Sequence, residues 1–276
     1  MKKCTAIIFY SALFFLFSCT GKHNGSNNVN TPSGFGEEVT AMSINDTIKI
    51  HENYSYAYSG EDAPALTVDI SLPIVELKDV AASARIDSAL AMTLFGESTT
   101  LRDACDMFVE SRKKDFDEMH DEYINSKDND TPAFFFSLYD IIGATAQVGY
   151  KECITYIAVH EEYNGGAHPN TFVNITNFDS GSGDEISLND IFKEGYEEQL
   201  ITFLTEQLMK ETNAATIEEL HEKGFLFFDT EMFVSNNFIL EKESITFLYN
   251  PYEIACYAMG HIYVTLDYKS LEEIMK

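Results

Sequence analysis

The stretch Phe172-Val173-Asn174-Ile175-Thr176-Asn177-Phe178, followed by Ser180-Gly181-Ser182-Gly183-Asp184 and then by Ser187-Leu188-Asn189-Asp190, holds the fold class in miniature. Its first part alternates, with Phe172, Asn174, Thr176 and Phe178 on one side and Val173, Ile175 and Asn177 on the other, the period of a β-strand. The Ser/Gly/Asp run after it is turn chemistry. Ser187 stands three residues before Asp190, a Ser-x-x-Asp capping pattern that predicts a helix running to about Thr212. Strand, turn and helix in direct succession point to an α+β protein.

The neighbouring segments follow the same logic. Upstream, Ser43 to Ile50 and Leu66 to Ile74 are expected strands, the second with Leu66, Val68, Ile70 and Leu72 on one face. Lys78 to Phe95 has helical spacing and ends at Gly96, where a C-cap belongs. Thr99 or Thr100 caps a longer helix reaching Tyr123. Ala133 to Val148 and Cys153 to Tyr163 are rich in Phe, Tyr, Ile and Val, and Gly149-Tyr150-Lys151 between them predicts a hairpin. Downstream, strands are expected at Phe225 to Phe228, Phe238 to Leu240, Ile245 to Tyr249 and Ile262 to Tyr268. The architecture expected is α+β, antiparallel sheets with a few packed helices.

The amino terminus carries different information. Lys2 and Lys3, an apolar run from Ala6 to Phe17 and Leu16-Phe17-Ser18-Cys19 have the order of a secretory signal, and the run is short for a membrane span. Leu-Phe-Ser-Cys resembles the bacterial lipobox, so residues 1–18 are expected to leave as a lipoprotein signal peptide and Cys19 to carry lipid. Residues 19–40 are Gly-, Ser- and Asn-rich and form the expected flexible linker. No acidic cluster follows Cys19, which points to an outer membrane location facing the periplasm.

Lys plus Arg total 18 against 45 for Asp plus Glu, a formal charge of −27 that reaches about −29 once Lys2 and Lys3 are removed. Such a surface repels phosphate backbones, so nucleic acid is not an expected partner. Cys105, Cys153 and Cys256 are too few and too scattered for a disulfide framework and are expected to be buried thiols.

Several motifs carry chemistry in outline. Gly165-Gly166 permits positive φ and Pro169 stiffens the exit, so Gly-Gly-Ala-His-Pro is a turn device with His168 at its tip. Pro251-Tyr252-Glu253 is a second turn, its aromatic ring expected over the core edge. His160 and Glu162 share a strand face and His168 follows the turn, a metal-ligand pattern in outline, but exposed strand faces commonly carry such residues and no metal or cofactor is expected. Asp179 to Asp190 has the length of a calcium loop but places Gly181 and Gly183 where ligand side chains belong. No catalytic motif is present.

Tyr163 to Thr171, Asn177-Phe178-Asp179, Glu185 to Phe192 and, further on, Ile245-Thr246-Phe247 with Tyr249 to Ala255 and Tyr257 to Gly260 resemble the PdaC/RsiV type of extracytoplasmic domain. Such domains occur in bacterial envelope lipoproteins, beside peptidoglycan deacetylase modules and in a lysozyme-sensing anti-sigma factor ectodomain. The resemblance implies two α+β halves, a PdaC-like one over 41–148 and an RsiV-like one over 149–276, packed into one compact unit. It also implies a non-catalytic envelope lipoprotein that binds a peptidoglycan glycan or a basic protein such as lysozyme, with Gly165, Gly166, His168, Tyr252 and Glu253 as the candidate ligand-binding or structural loop. The alternative is a cell-wall glycan hydrolase or deacetylase-like enzyme using loop carboxylates.

A lipid anchor makes a direct prediction. Each buried methylene contributes about 0.8 kcal/mol, so two or more chains hold a protein at a membrane where one does not. Cys19→Ala is expected to leave the protein unprocessed or released, checked by labelling with a palmitate analogue: wild type incorporates it and the variant does not.

Overall fold

The segment Ala65–Glu76 buries Leu66, Val68, Ile70 and Leu72 and becomes the second of five strands. The computed structural model describes residues 42–56, 63–126, 132–227 and 232–276; the signal sequence (1–18), Cys19 and the linker (19–40) lie outside the described residues. The first sheet runs β1 (Ser43–Ser55), β2 (Ala65–Glu76), β3 (Leu138–Val148), β4 (Ile154–Tyr163) and β5 (Asn170–Phe178) in spatial as well as chain order. A second sheet holds β6 (Phe238–Leu240), β7 (Ser244–Tyr249) and β8 (Ile262–Asp267). With α1 (Val80–Phe95), α2 (Leu101–Ser126), α3 (Leu188–Ile191), α4 (Glu197–Thr212) and α5 (Ile217–Glu222), the fold is α+β.

One feature of the expected sheets is corrected. β2 and β3 pair in parallel, from Leu66 opposite Leu138 to Ser71 opposite Gly143, whereas every other pair is antiparallel. The chain between them builds α1 and α2, and a parallel pair needs a crossover of that length. Local signals set both helices. The Asp79 carboxylate accepts from the Ala81 N–H at 2.9 Å and Gly96 closes α1, while the Thr100 hydroxyl accepts from the Asp103 N–H at 3.1 Å to start α2.

The expected helix from Ser187 to Thr212 is in two pieces. Ser187 and Asp190 cap α3 as expected, the Asp190 carboxylate accepting from the Ser187 N–H at 2.8 Å. The chain then extends: Phe192 bridges Met275, and the Lys193 N–H donates to the Ile274 carbonyl at 2.8 Å, so the carboxy-terminal tail takes the groups a continuous helix would have used. Of the expected strand at Phe225, only a bridge from Phe225 to Ala255 forms, and Phe228 lies outside the described residues. Cys105 and Cys153 are buried, and Cys256 is half-exposed rather than buried. Burial pushes the Cys105 thiol up to about 12. Among the described residues no helix is long and apolar enough to cross a membrane.

Residues 40–276 form one compact unit with two main cores. In the first, Ile86, Leu90, Cys105 and Phe116 of the helices pack on Leu66, Val68, Ile70, Tyr156 and Phe178 of the first sheet. In the second, Leu200, Leu204 and Leu208 of α4 cover Ile245, Phe247 and Val264 of the second sheet. The change from one sheet to the other falls after Phe178, since β4 and β5 belong to the first, although Cys153, just before β4, packs in the second core. On the opposite face of that sheet Ile157, Val173 and Ile175 meet Leu248.

The join is polar as well as apolar. β5 is an edge strand, and its outward backbone groups are met by asparagine side chains. The Asn250 Oδ1 accepts from the Val173 N–H at 2.8 Å and its Nδ2 donates to the Val173 carbonyl at 3.1 Å. Asn237 accepts from the Ile175 N–H at 3.0 Å, and Asn177 donates to the Phe238 carbonyl at 2.8 Å. Gly149 adds a close approach, since a Cβ there would lie 1.7 Å from the Leu240 carbonyl oxygen.

Removing the Asn250 amide strands the Val173 N–H in a buried setting, at about 1 to 3 kcal/mol, while the Val173 carbonyl keeps the Asn237 Nδ2 at 3.1 Å. Asn250→Ala is therefore expected to lower stability by about 2 kcal/mol and the melting temperature by roughly 4 to 8 °C, read by thermal unfolding.

Candidate functional site

The two turns singled out by sequence meet in space. Residues 164–169 connect β4 to β5, with Gly165 at φ 79° and Gly166 at φ 101°, both in the left-handed region. Gly165 has a second constraint: a Cβ there would stand 2.6 Å from the Phe135 carbonyl oxygen, whereas at Gly166 it would meet open space. The Tyr163 hydroxyl donates to the Gly166 carbonyl at 3.0 Å and holds the turn.

His168 is held on both sides. Its Nδ1–H donates to the Pro169 carbonyl at 2.8 Å, and its ring stacks on Tyr257 with centroids 4.1 Å apart and 22° between planes. Tyr257 donates its hydroxyl to the same Pro169 carbonyl at 2.9 Å. Tyr252 continues the stack at 5.6 Å and 28°. These three rings form a ledge built from two chain segments far apart in sequence. Tyr139 and Tyr163 make a further stacked pair at 5.7 Å, the Tyr139 hydroxyl donating to Glu161 at 2.9 Å. Burial, with that carboxylate second, pushes the Tyr139 phenol up to about 12.

Tyr252 is the outermost ring, 57% exposed, and its backbone is at φ 72°. A β-carbon in that region costs about 1 to 2 kcal/mol, and glycine or asparagine would sit there more cheaply. The turn is fixed by the Tyr252 N–H donating to the Ala255 carbonyl and the Glu253 N–H to that of Asn250, both at 3.1 Å. The expected cover of the core edge is therefore not made by Tyr252, which faces solvent.

Glu253 parts from Tyr252. Its carboxylate accepts from the Asn250 N–H at 2.7 Å and so supports the residue that clasps β5. Burial raises its pKa while the Asn250 amide opposes the rise, and no neighbouring carboxylate contributes to it. It lines a cleft of about 650 Å³ between β5 and residues 233–238, away from the ring stack.

A second polar group lies on the inner face of the first sheet. Asp140 and Glu162 are cross-strand partners, and His160 precedes Glu162 by one step on the same face. The His160 Nε2 lies 2.9 Å from the Asp140 Oδ1, and Arg112 of α2 donates from Nε to the Asp140 Oδ2 at 2.6 Å. His168 has no place in this group, and Asp140 stands where the sequence pattern suggested His168. Asp140, Arg112 and Tyr257 were not singled out by sequence: the first two need the β3–β4 register and the helix position, and the third sits in a turn motif whose stacking partner is remote.

The two glycines give a paired prediction. Gly165→Ala meets both left-handed backbone and a carbonyl, whereas Gly166→Ala meets backbone alone. Each is expected to destabilise by about 1 kcal/mol or more, with Gly165→Ala the costlier, measured by chemical denaturation.

Comparison with known proteins agrees with this fold. Residues 189–269 match the family described as "Protein of unknown function (DUF3298)". A crystal structure of a DUF3298 family member from Bacteroides fragilis superposes with a TM-score of 0.75 at 26% identity, covering 86% of this chain and 94% of that one. A DUF3298 family protein from Pseudomonas aeruginosa shares the fold at a TM-score of 0.53 and 17% identity, covering 84% of this chain and 94% of that one. No curated protein matches the chain. The family resemblance carried by the sequence motifs is therefore met by the comparisons, with residues 189–269 similar to the DUF3298 family.

Proposed function

We propose that this chain is a non-catalytic envelope lipoprotein, tethered through Cys19, whose folded part binds a cell-wall glycan on the ledge formed by His168, Tyr257 and Tyr252. The observation that carries the reading is Tyr252: a large ring left in solvent on a backbone that disfavours it, aligned by stacking with two further rings. Residues in sparsely populated backbone regions cluster at ligand clamps, where the surroundings hold them. A flat aromatic face takes the apolar face of a sugar ring, with hydroxyl and carboxylate groups beside it for hydrogen bonds, and Glu161 and Tyr163 lie two residues apart on one face of β4.

The charge of −27 supports a second partner class, a basic protein such as lysozyme. The two differ in salt response. Stacking and neutral hydrogen bonds give an affinity nearly independent of salt, whereas a cationic protein is steered by long-range attraction that falls as ionic strength rises. A hydrolase would need Glu253 paired with a second carboxylate across a bound sugar. Its rise in pKa stems from burial, and its carboxylate serves the Asn250 amide.

Tyr252→Asn keeps a residue at ease in the left-handed region and removes the outer ring. It is expected to leave the melting temperature unchanged or slightly higher and to weaken binding of soluble peptidoglycan fragments at least tenfold, measured by calorimetry at low and high salt. Equal binding by variant and wild type, or no binding by either, contradicts the glycan reading; association with lysozyme that fades with salt supports the cationic partner instead.

A further inference from the structure

We infer that Asp140, His160 and Glu162 form a binding site for a divalent first-row transition ion, with zinc as the probe. The sheet places them. Along β4 the residues Ile154, Tyr156 and Ala158 face the first core, and His160 and Glu162 continue the same face past its apolar part. Asp140 lies opposite Glu162 in the β3–β4 register. One ligand atom from each residue falls within 4.8 Å of the others, an imidazole nitrogen and two carboxylate oxygens.

The spacing suits a metal. At bond lengths of about 2.0 to 2.2 Å, adjacent ligand atoms on one tetrahedral ion stand about 3.3 to 3.6 Å apart. The Asp140 Oδ1 and His160 Nε2, 2.9 Å apart, need to part by only about half an ångström. An ion between them would replace the proton that now joins them, and a modest rotation of Glu162 would supply the third bond.

The surroundings resemble the outer support that metal ligands require. The guanidinium of Arg112 holds the Asp140 Oδ2 at 2.6 Å and is itself fixed by Asn164 at 2.6 Å and Asp115 at 2.9 Å. Asp140 is thereby pinned with Oδ1 turned toward His160. Phe108 packs edge-on against the His160 ring at 6.0 Å. Arg112 and Asp140 make a complete ion pair without Glu162, whose half-buried carboxylate is engaged by no hydrogen bond or ion pair among the described residues. Two carboxylates and a neutral imidazole oppose the charge of the ion, and Arg112 offsets part of one carboxylate, which sets the affinity below that of a closed structural zinc site.

The site is independent of what the aromatic ledge binds. Zinc competition against a chromophoric chelator, with thermal unfolding in parallel, tests it on wild type, His160→Gln, Glu162→Gln and His168→Ala. Glu162→Gln breaks no protein contact, so its metal-free melting temperature should equal that of wild type. The expected result is one equivalent of zinc on wild type with a rise of several degrees in melting temperature at saturation, at least tenfold weaker binding in His160→Gln and in Glu162→Gln, and no change in His168→Ala. No stoichiometric zinc on wild type, or unchanged affinity in folded Glu162→Gln or His160→Gln, overturns the assignment.

Discussion

The Asn250 amide at the outer edge of β5, seconded there by Asn237, is the contact on which the placement of the second sheet against the first rests. It meets both backbone groups of Val173, accepting from the N–H and donating to the carbonyl as a neighbouring strand would. An edge strand otherwise presents a row of unpaired groups to solvent or to another chain. Here Asn250 and Asn237 close that row, so β5 is flanked on both sides, by β4 through a regular ladder and by the second sheet through amides. Apolar contact alone, Ile157, Val173 and Ile175 on Leu248, would leave the orientation loose. The amides fix it, because hydrogen bonds carry direction and buried polar groups left unmet are expensive.

That fixed orientation has a consequence for the ledge. His168 comes from the turn before β5 and Tyr252 and Tyr257 from the segment after β7, and their rings stack only when the two sheets keep their relative placement. Asn250 sits two residues before Tyr252, and Glu253 holds the Asn250 N–H. One short turn therefore both clasps the edge strand and presents the exposed ring. Glu253, which sequence reasoning set beside Tyr252 in a ligand-binding or structural loop, is the more buried half of the same turn and serves structure through the Asn250 N–H. On the other face of the sheet, the ion pair of Arg112 with Asp140 ties α2 to β3 in a similar manner, with one member fully buried and several hydrogen bonds completing it.

The sequence was most legible where a signal is local. The caps at Thr100, Ser187 and Gly96, the alternation of 66–72 and 172–178, and positive φ at Gly165 and Gly166 all follow from a few adjacent residues. What escaped depends on remote partners. The parallel pairing of β2 with β3 is a matter of topology, the break after Ile191 exists because the carboxy-terminal tail comes to pair with it, and Phe225 found one partner where a strand was expected. Of the candidate site, the turn glycines, His168 and Tyr252 were legible as turn residues, but not that they meet. Asp140 carries no local mark at all, since an aspartate amid apolar strand residues acquires meaning only when register brings Glu162 opposite and α2 brings Arg112.

Native-state hydrogen exchange at the Val173 and Ile175 amides tests the clasp most directly. If the asparagine amides make β5 an interior strand, both N–H groups exchange only with global unfolding, as slowly as the central amides of β4 and β7. Exchange through small local openings, at the rate of an exposed edge strand, would contradict the account and leave the two sheets as separately moving parts.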